Sequence, residues 1–542
     1  MGTQASSSPA DVLIVGAGAS GSVAAAYLAK AGFAVVCLEQ GEWVNASEFP
    51  GSKPEFELLA GKQWHHDPNV RARPADYPCE NSEAEVYPQM FNAVGGSTIH
   101  FGAHWMRMLP ADFRLRSLDG VADDWPFTYE NLLPYYERMD VAMGVSGLAG
   151  DPAYPPGAPP PLPAHPIGKL GRKAAEGMNK LGWHWWPAPN ATPSRPYGRL
   201  AQCQRFGTCE TGCPAGAKAS TDITHWPDAL AHGARLVTGA RVREITLNSK
   251  GLATGAVYVD REGEERFQGA SVILLAANAV GTARLLLLST SSRFPDGLAN
   301  SSGLVGRRLM LHPYGTVVGL YDEELESWLG PAGQLIHSLE FYETDESRGF
   351  VRGAKWQVMP TFGPLNILAR YSGWPPDEEA SASIHRTVRE GLGHALDWGA
   401  ITEDLPEETN RVLLDPLLAD SDGIPAPKIV YRISDNTRAQ LEFHLYRLVE
   451  AHEASGATRT VVTTLVPDQP GHLLGTARMG SDPETSVVDE YGRTHDVRNL
   501  YVVDGSVFVT ASGVNPTATI CALALRASER LALESRQQAV PA

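Results

Sequence analysis

Short, unbroken apolar runs mark the first element of the chain. DVLIV at 11–15 ends in a glycine turn, an Ala-rich stretch at helical spacing follows, and a second aliphatic run, AVVCLE at 34–39, closes the unit. Unbroken rather than alternating runs belong to strands buried on both faces, so the pattern predicts a β-α-β unit with parallel strands. The same signature returns twice: SVILLAA at 271–277 precedes NAVGTARLLLLS, and NLYVVDG at 499–505 leads into TATICALALRASERLALE. Pieces of one nucleotide-type domain are therefore expected to be scattered along the chain. Between them, DPAYPPGAPPPLPAHP at 151–166 carries eight prolines in sixteen residues, which predicts an extended surface loop or linker. From 315 to 465 strand-like and charged helical patches alternate, with Trp328, Trp356, Trp374 and Trp398 and without a glycine fingerprint, as in a separate lobe.

Composition changes this picture little. A length of 542 residues requires two or more lobes, and 43% apolar with 20% charged residues is ordinary globular usage. The net charge of -17 opposes nucleic acid and anionic membrane surfaces as partners. The uncharged stretch 12–29 lacks a basic leader, and 272–288 carries Asn278, Gly281 and Arg284 in its middle, so no membrane span and a cytoplasmic location are expected.

The turn after the first strand carries chemistry. In GAGASG, Gly16, Gly18 and Gly21 occupy the GxGxxG positions between strand and helix, and Glu39 ends the second strand. The first glycine permits the tight turn, the second lets backbone approach a pyrophosphate, the third lets helix and strand pack, and the carboxylate accepts from ribose hydroxyls. An acidic residue there disfavours a 2'-phosphate, which leaves FAD or NAD rather than NADP.

Four further stretches point to one of these two. VGGSTIHFGAHWMRMLPADF at 94–113, DWPFTYENLLPYYE at 124–137, HLLGTARMG at 472–480 and VVDGSVFVTASGVNPTATICALALRASERL at 502–531, with the opening motif, resemble the glucose-methanol-choline (GMC) oxidoreductases. Within that family the likeness is to bacterial sugar, polyol and sugar-acid dehydrogenases, including the large subunits of gluconate and fructose dehydrogenases. It touches most of the chain and loosens over 320–465. The resemblance implies FAD and an α/β fold: a Rossmann-like FAD-binding domain assembled from 1–110, 232–318 and 466–542, a cap and linker region over 111–231, and an α+β substrate domain with an antiparallel sheet over 319–465.

Oxidising an alcohol through a flavin needs a base beside the hydroxyl, and histidine has the suitable pKa. By resemblance His472 is that base and Asn515 the second catalytic position. A neutral amide there holds the substrate oxygen without competing for its proton. The resemblance also implies cofactor contacts at Gly95, Gly96, Ser97, Val242, Asp504, Gly505, Asn515 and Pro516. His100 stands four residues after Gly96, where several members attach the flavin covalently; the alternative is a hydrogen-bonded histidine lining the flavin. His104, His312 and His495 have no comparable warrant and are expected to be structural.

Cys203, Cys209 and Cys213 form C-x5-C-x3-C-P. Three thiolates can hold a [3Fe-4S] cluster, as the likeness to cytochrome-linked dehydrogenases implies; the other reading is plain loop thiols or a disulfide. Zinc is disfavoured because a fourth ligand is missing. The expected function is FAD-dependent oxidation of a CH-OH group in a sugar, polyol, glycoside or related alcohol. Two variants are an FAD plus [3Fe-4S] subunit working with a small subunit and a cytochrome, exported to the periplasm by its signal-bearing partner, and an aryl or aliphatic alcohol oxidase using oxygen. A nicotinamide-linked flavin reductase or monooxygenase would need a second glycine fingerprint. A non-catalytic module would leave His472 and Asn515 unexplained.

Overall fold

The computed structural model describes residues 7–331, 333–361, 363–372, 383–469 and 471–539; Trp374 lies outside them. The opening pattern folds as β1 (Ser7–Val15), α1 (Ala19–Lys30) and β2 (Val35–Glu39). Val12 sits between Val35 and Val272 in parallel register, so the aliphatic runs lie side by side at the centre of one sheet. That sheet runs Arg235–Thr238, β2, β1, Glu265–Leu275, Ala253–Val259, Arg241–Leu247, with Leu500–Val502 added beside Glu265–Leu275. Strand Glu265–Leu275 changes partners along its length. Its first half pairs antiparallel with Ala253–Val259, and Ile273–Leu275 pairs parallel with Leu500–Val502. A strand with apolar neighbours on every side needs no alternation, which explains the unbroken run SVILLAA.

The stretch 272–288 is thus a central strand and the helix Asn278–Leu288. Arg284 in that helix is buried against Asp420 at 2.8 Å. Among the described residues no helix is long and apolar enough to cross a membrane. α1 packs against the C-terminal helix Thr517–Ala539.

A second sheet is antiparallel in its main strands and ordered Arg459–Thr463, Tyr314–Leu320, Ala395–Thr402, Ala354–Met359, Ile336–Ser338, Trp186–Pro187. One face is apolar. Trp356, Val358, Trp398 and Val317 pack there on Leu445 and Leu448 of the helix Asp435–Ser455, and on Leu170 and Met178 of Gly168–Leu181. Because side chains alternate, Lys355, Gln357 and Met359 point to the opposite face. Two strands pair across large sequence distances: Trp186–Pro187 joins this sheet, and Glu80–Ala84 joins the hairpin of Arg411–Ala419 and Pro425–Tyr431. Neither pairing shows in local periodicity.

The proline-rich stretch contains only a two-residue strand, Leu162–Pro163, and is anchored at its start. Asp151 reaches His184 at 3.0 Å and His337 at 2.9 Å, and these hydrogen bonds hold its carboxyl below the usual range despite burial.

Candidate active site

Two glycine turns meet at the head of the first sheet. Gly16 has φ 102°, and a Cβ there would lie 2.5 Å from the Ala276 carbonyl oxygen. Gly96 has φ 53°, and its Cβ would lie 2.6 Å from Gly18 Cα. No side chain fits either position, so backbone itself lines the space. Gly21 packs helix on strand and stays out of the cavity, and Gly95 donates its N–H to the Ala17 carbonyl at 2.9 Å. Glu39 accepts from Ala17 N at 2.7 Å and Gly41 N at 2.8 Å, and burial pushes its carboxyl up to about 7. Gly16, Gly18, Glu39, Gly96, Ser97, His100, Val242, Asp504, Gly505, Asn515 and Pro516 all line one cavity with His472. Asp504 is buried and is itself held by Thr282 and Ser506 hydroxyls. His100 is buried and stacked on Phe91 with 4.0 Å between ring centroids, and both its ring nitrogens lack a hydrogen-bond partner among the described residues.

The opposite wall comes from the second sheet. His472 Nδ1 lies 2.7 Å from His312 Nδ1, while His312 Nε2 lies 2.7 Å from the Ser512 carbonyl. A carbonyl only accepts, so His312 carries its proton on Nε2. Burial pulls the His312 pKa down to about 4, so the ring is neutral and its Nδ1 is an acceptor. His472 therefore donates from Nδ1, and its Nε2 keeps a bare lone pair. Burial, then His312, His104 and Lys355, hold the His472 pKa well below the usual histidine range. The outcome is a neutral imidazole of defined tautomer, the form a proton acceptor needs.

This arrangement corrects the expectation that His312 is structural: it fixes the tautomer of His472. Its φ of 55° turns the chain sharply between Leu311 and Pro313 and delivers the ring to the site. His104 also belongs here. It lines the cavity and its Nδ1 lies 3.4 Å from Lys355 Nζ. His495 bonds Ser486 at 2.9 Å away from the cavity lining. Sequence reasoning missed Lys355, Gln357 and Met359 altogether. The available signal was a lysine at an alternating position of a strand whose other face is tryptophan and valine. Exchanging His312 for Asn, which tolerates the left-handed backbone, is expected to slow substrate-driven flavin reduction about 10- to 100-fold, less than loss of the base itself. A reduction rate equal to the parent's would remove His312 from the machinery.

The sequence profile described as GMC oxidoreductase matches this chain in two parts, its N-terminal part over residues 10–314 and its C-terminal part over 406–524. The chain belongs to the GMC oxidoreductase family. It is 42% identical over 529 residues to 2-methyl-1,2-propanediol dehydrogenase of Mycolicibacterium austroafricanum, covering 96% of this chain and 94% of that protein. It is 30% identical over 549 residues to the fructose dehydrogenase large subunit of Gluconobacter japonicus, covering 97% and 98%. Among solved structures, a formate oxidase variant from Aspergillus oryzae RIB40, studied for FAD modification, superimposes with a TM-score of 0.66 at 16% identity, covering 98% of this chain and all of that one. The fold is shared with that structure, and the relatives are dehydrogenases and oxidases of alcohol groups.

For this GMC oxidoreductase the residues fit FAD. The glycine cradle offers backbone to a pyrophosphate, Glu39 stands where ribose hydroxyls are recognised, and His100 leaves two buried nitrogens toward the cavity. Among the described residues the three loop cysteines are not gathered as metal ligands. Cys203 and Cys213 each accept a backbone N–H, from Arg205 at 3.4 Å and Ala217 at 3.3 Å, and among the described residues no group of three His, Cys, Asp or Glu is arranged to hold a metal ion. None of the six cysteines is in a disulfide. Their loop is tied to the flavin loop through Lys218, whose nitrogen bonds the carbonyls of Ile99 and Phe101 on one side and Cys209 on the other.

Proposed function

We propose that this chain oxidises a CH-OH group of a small polyol or sugar-like alcohol, with His472 Nε2 taking the hydroxyl proton and Asn515 holding the substrate oxygen. The observation that carries the reading is the His312–His472 contact, which leaves one unprotonated imidazole nitrogen in a cavity that fits FAD. When bound, FAD supplies the two-electron acceptor for the carbinol hydride. The protein's own part is to place the alcohol, take up its proton and keep water out. Gln357, Met359 and Tyr314 wall the cavity near the second sheet, so the substrate surface there is mixed polar and apolar. A small diol or polyol suits such a wall, and the relative named for 2-methyl-1,2-propanediol supports that class over an aryl alcohol. The test is anaerobic titration of the purified protein with diols, polyols, hexoses and benzyl alcohol, reading loss of oxidised flavin absorbance. Bleaching by a diol or polyol supports the reading, and bleaching by none of the four classes overturns it.

A second reading, a subunit that passes electrons to a partner protein through iron on Cys203, Cys209 and Cys213, draws support from the likeness to the fructose dehydrogenase large subunit. Iron at background in anaerobically purified protein ends it, and no step is assigned to such a cluster. We also propose that His100 is where a covalent flavin link would form, because its ring is buried and stacked on Phe91 and its two nitrogens have no hydrogen-bond partner among the described residues. Acid precipitation is expected to leave flavin colour in the parent pellet and to release it from His100→Ala. Release from both proteins would mean that FAD is held without the bond.

A further inference from the structure

Lys355 is a feature that the proposed reaction has not yet used. It is fully buried on the cavity-facing side of strand Ala354–Met359. Its nitrogen lies 2.6 Å from Asn515 Oδ1, 2.9 Å from Gln334 Oε1 and 3.4 Å from His104 Nδ1. Three acceptors around one nitrogen match the three N–H groups of an ammonium. Among the described residues no carboxylate forms an ion pair with it, and burial alone accounts for the strong lowering of its pKa. A buried cation without an anion is costly and is normally neutralised by a partner. Here the missing negative charge has a place to arise. Asn515 and His472 line the same cavity, and Lys355 is within the electrostatic reach of His472, His312 and His104.

We infer that Lys355 is a positioning residue: it turns the Asn515 amide so that Nδ2 faces the cavity, and backs that donor with an unneutralised positive charge, making the site a receptor for a negatively charged oxygen beside His472. An ammonium does not accept, so Asn515 must present Oδ1 to it and Nδ2 away from it. Polarising the amide oxygen strengthens the N–H groups at the other end of the same amide. As the hydroxyl proton moves to His472 Nε2, the O–H electron pair stays on the substrate oxygen, and Asn515 Nδ2 is the donor that stabilises it. Such a donor is fixed before the charge develops, which is the condition under which it favours the transition state. The inference rests on the reading of His472 and Asn515 given above and adds the residue that organises them.

Acetate is the probe, because its oxygen carries charge without offering a hydride. Calorimetric titration of the FAD-loaded protein is expected to show acetate binding, and Lys355→Met is expected to raise the Kd at least about tenfold with flavin content unchanged. Gln334→Glu provides an independent variant. Gln334 is buried and does not line the cavity, so a carboxylate there neutralises Lys355 in place without removing it from Asn515. It is expected to weaken acetate binding to a similar degree. In both variants the apparent pKa of the base in the pH profile of flavin reduction should rise, because a cation facing His472 is removed or neutralised. Failure of acetate to bind the parent, or parent-like binding by either folded variant, overturns the inference. Should Met at 355 prevent folding, Gln334→Glu alone decides. Lysine-dependent acetate binding in a parent whose flavin no alcohol reduces would defeat the alcohol reading and leave the anion site standing.

Discussion

Replacing His472 with alanine is expected to leave FAD bound and to slow flavin reduction by about 10²–10⁴-fold, the range for loss of a general base. The residue reaches the cavity from the loop before Leu473, and its Nδ1 is held by His312, which leaves Nε2 as the acceptor. The residues that fit FAD lie on other elements, among them the first two strands and the Gly95–His100 loop, so truncation at 472 is expected to spare them. Rapid anaerobic mixing with an alcohol that reduces the parent separates the two quantities: flavin content before mixing and bleaching rate after. An unchanged bleaching rate would sink the assignment. The pH profile makes the same point. Because the His472 pKa is depressed, the neutral base persists as pH falls through 6.5, and the parent's rate should decline only below the usual histidine range.

Arg352→Met is expected to be the most damaging substitution outside the cavity, costing about 3–5 kcal/mol of stability. Arg352 is buried with φ 61° and binds Asp112 at 2.5 Å, Glu403 at 2.8 Å and Glu343 at 2.8 Å. Asp112 and Glu403 are themselves buried, so a neutral side chain at 352 strands two carboxylates without a cation. Burial already pushes the Asp112 carboxyl up to about 8 even with the arginine present. Groups whose folded pKa is raised stabilise below the unfolded value, near 4, and that stability is lost as pH rises through the folded value. The variant should therefore unfold most readily at pH 8 and recover towards pH 5. Denaturant unfolding at both pH values checks it, and a parent-like midpoint at pH 8 would show the network to be energetically idle. The effect reaches the site too. Tyr342 donates to Asp112 and accepts from Gly513 N at 2.8 Å, and Gly513 lies between Ser512, which anchors His312, and Asn515.

Local pattern was enough for part of this. The unbroken runs at 11–15, 34–39 and 271–277 are central strands because a strand apolar on both faces has only the middle of a covered sheet to occupy. GAGASG with Glu39 is a cradle because its glycines leave no room for side chains where turns meet. The motif likenesses also brought His472 and Asn515 forward together, although 42 intervening residues separate them in the sequence.

What the text of the chain did not disclose are relations between side chains on different strands. His312 and Lys355 look like ordinary residues of strand ends and lobes, and nothing in their neighbours' spacing tells that one meets His472 and the other Asn515. Pairing of Tyr314–Leu320, Ala395–Thr402 and Ala354–Met359 into one sheet brings them to a common face, and that register depends on contacts far apart along the chain. Backbone geometry, glycine placement and apolar period are short-range properties and can be read from sequence. A tautomer, a buried charge without a partner and the direction of an amide are decided by what lies across the cavity, and only the tertiary structure sets that.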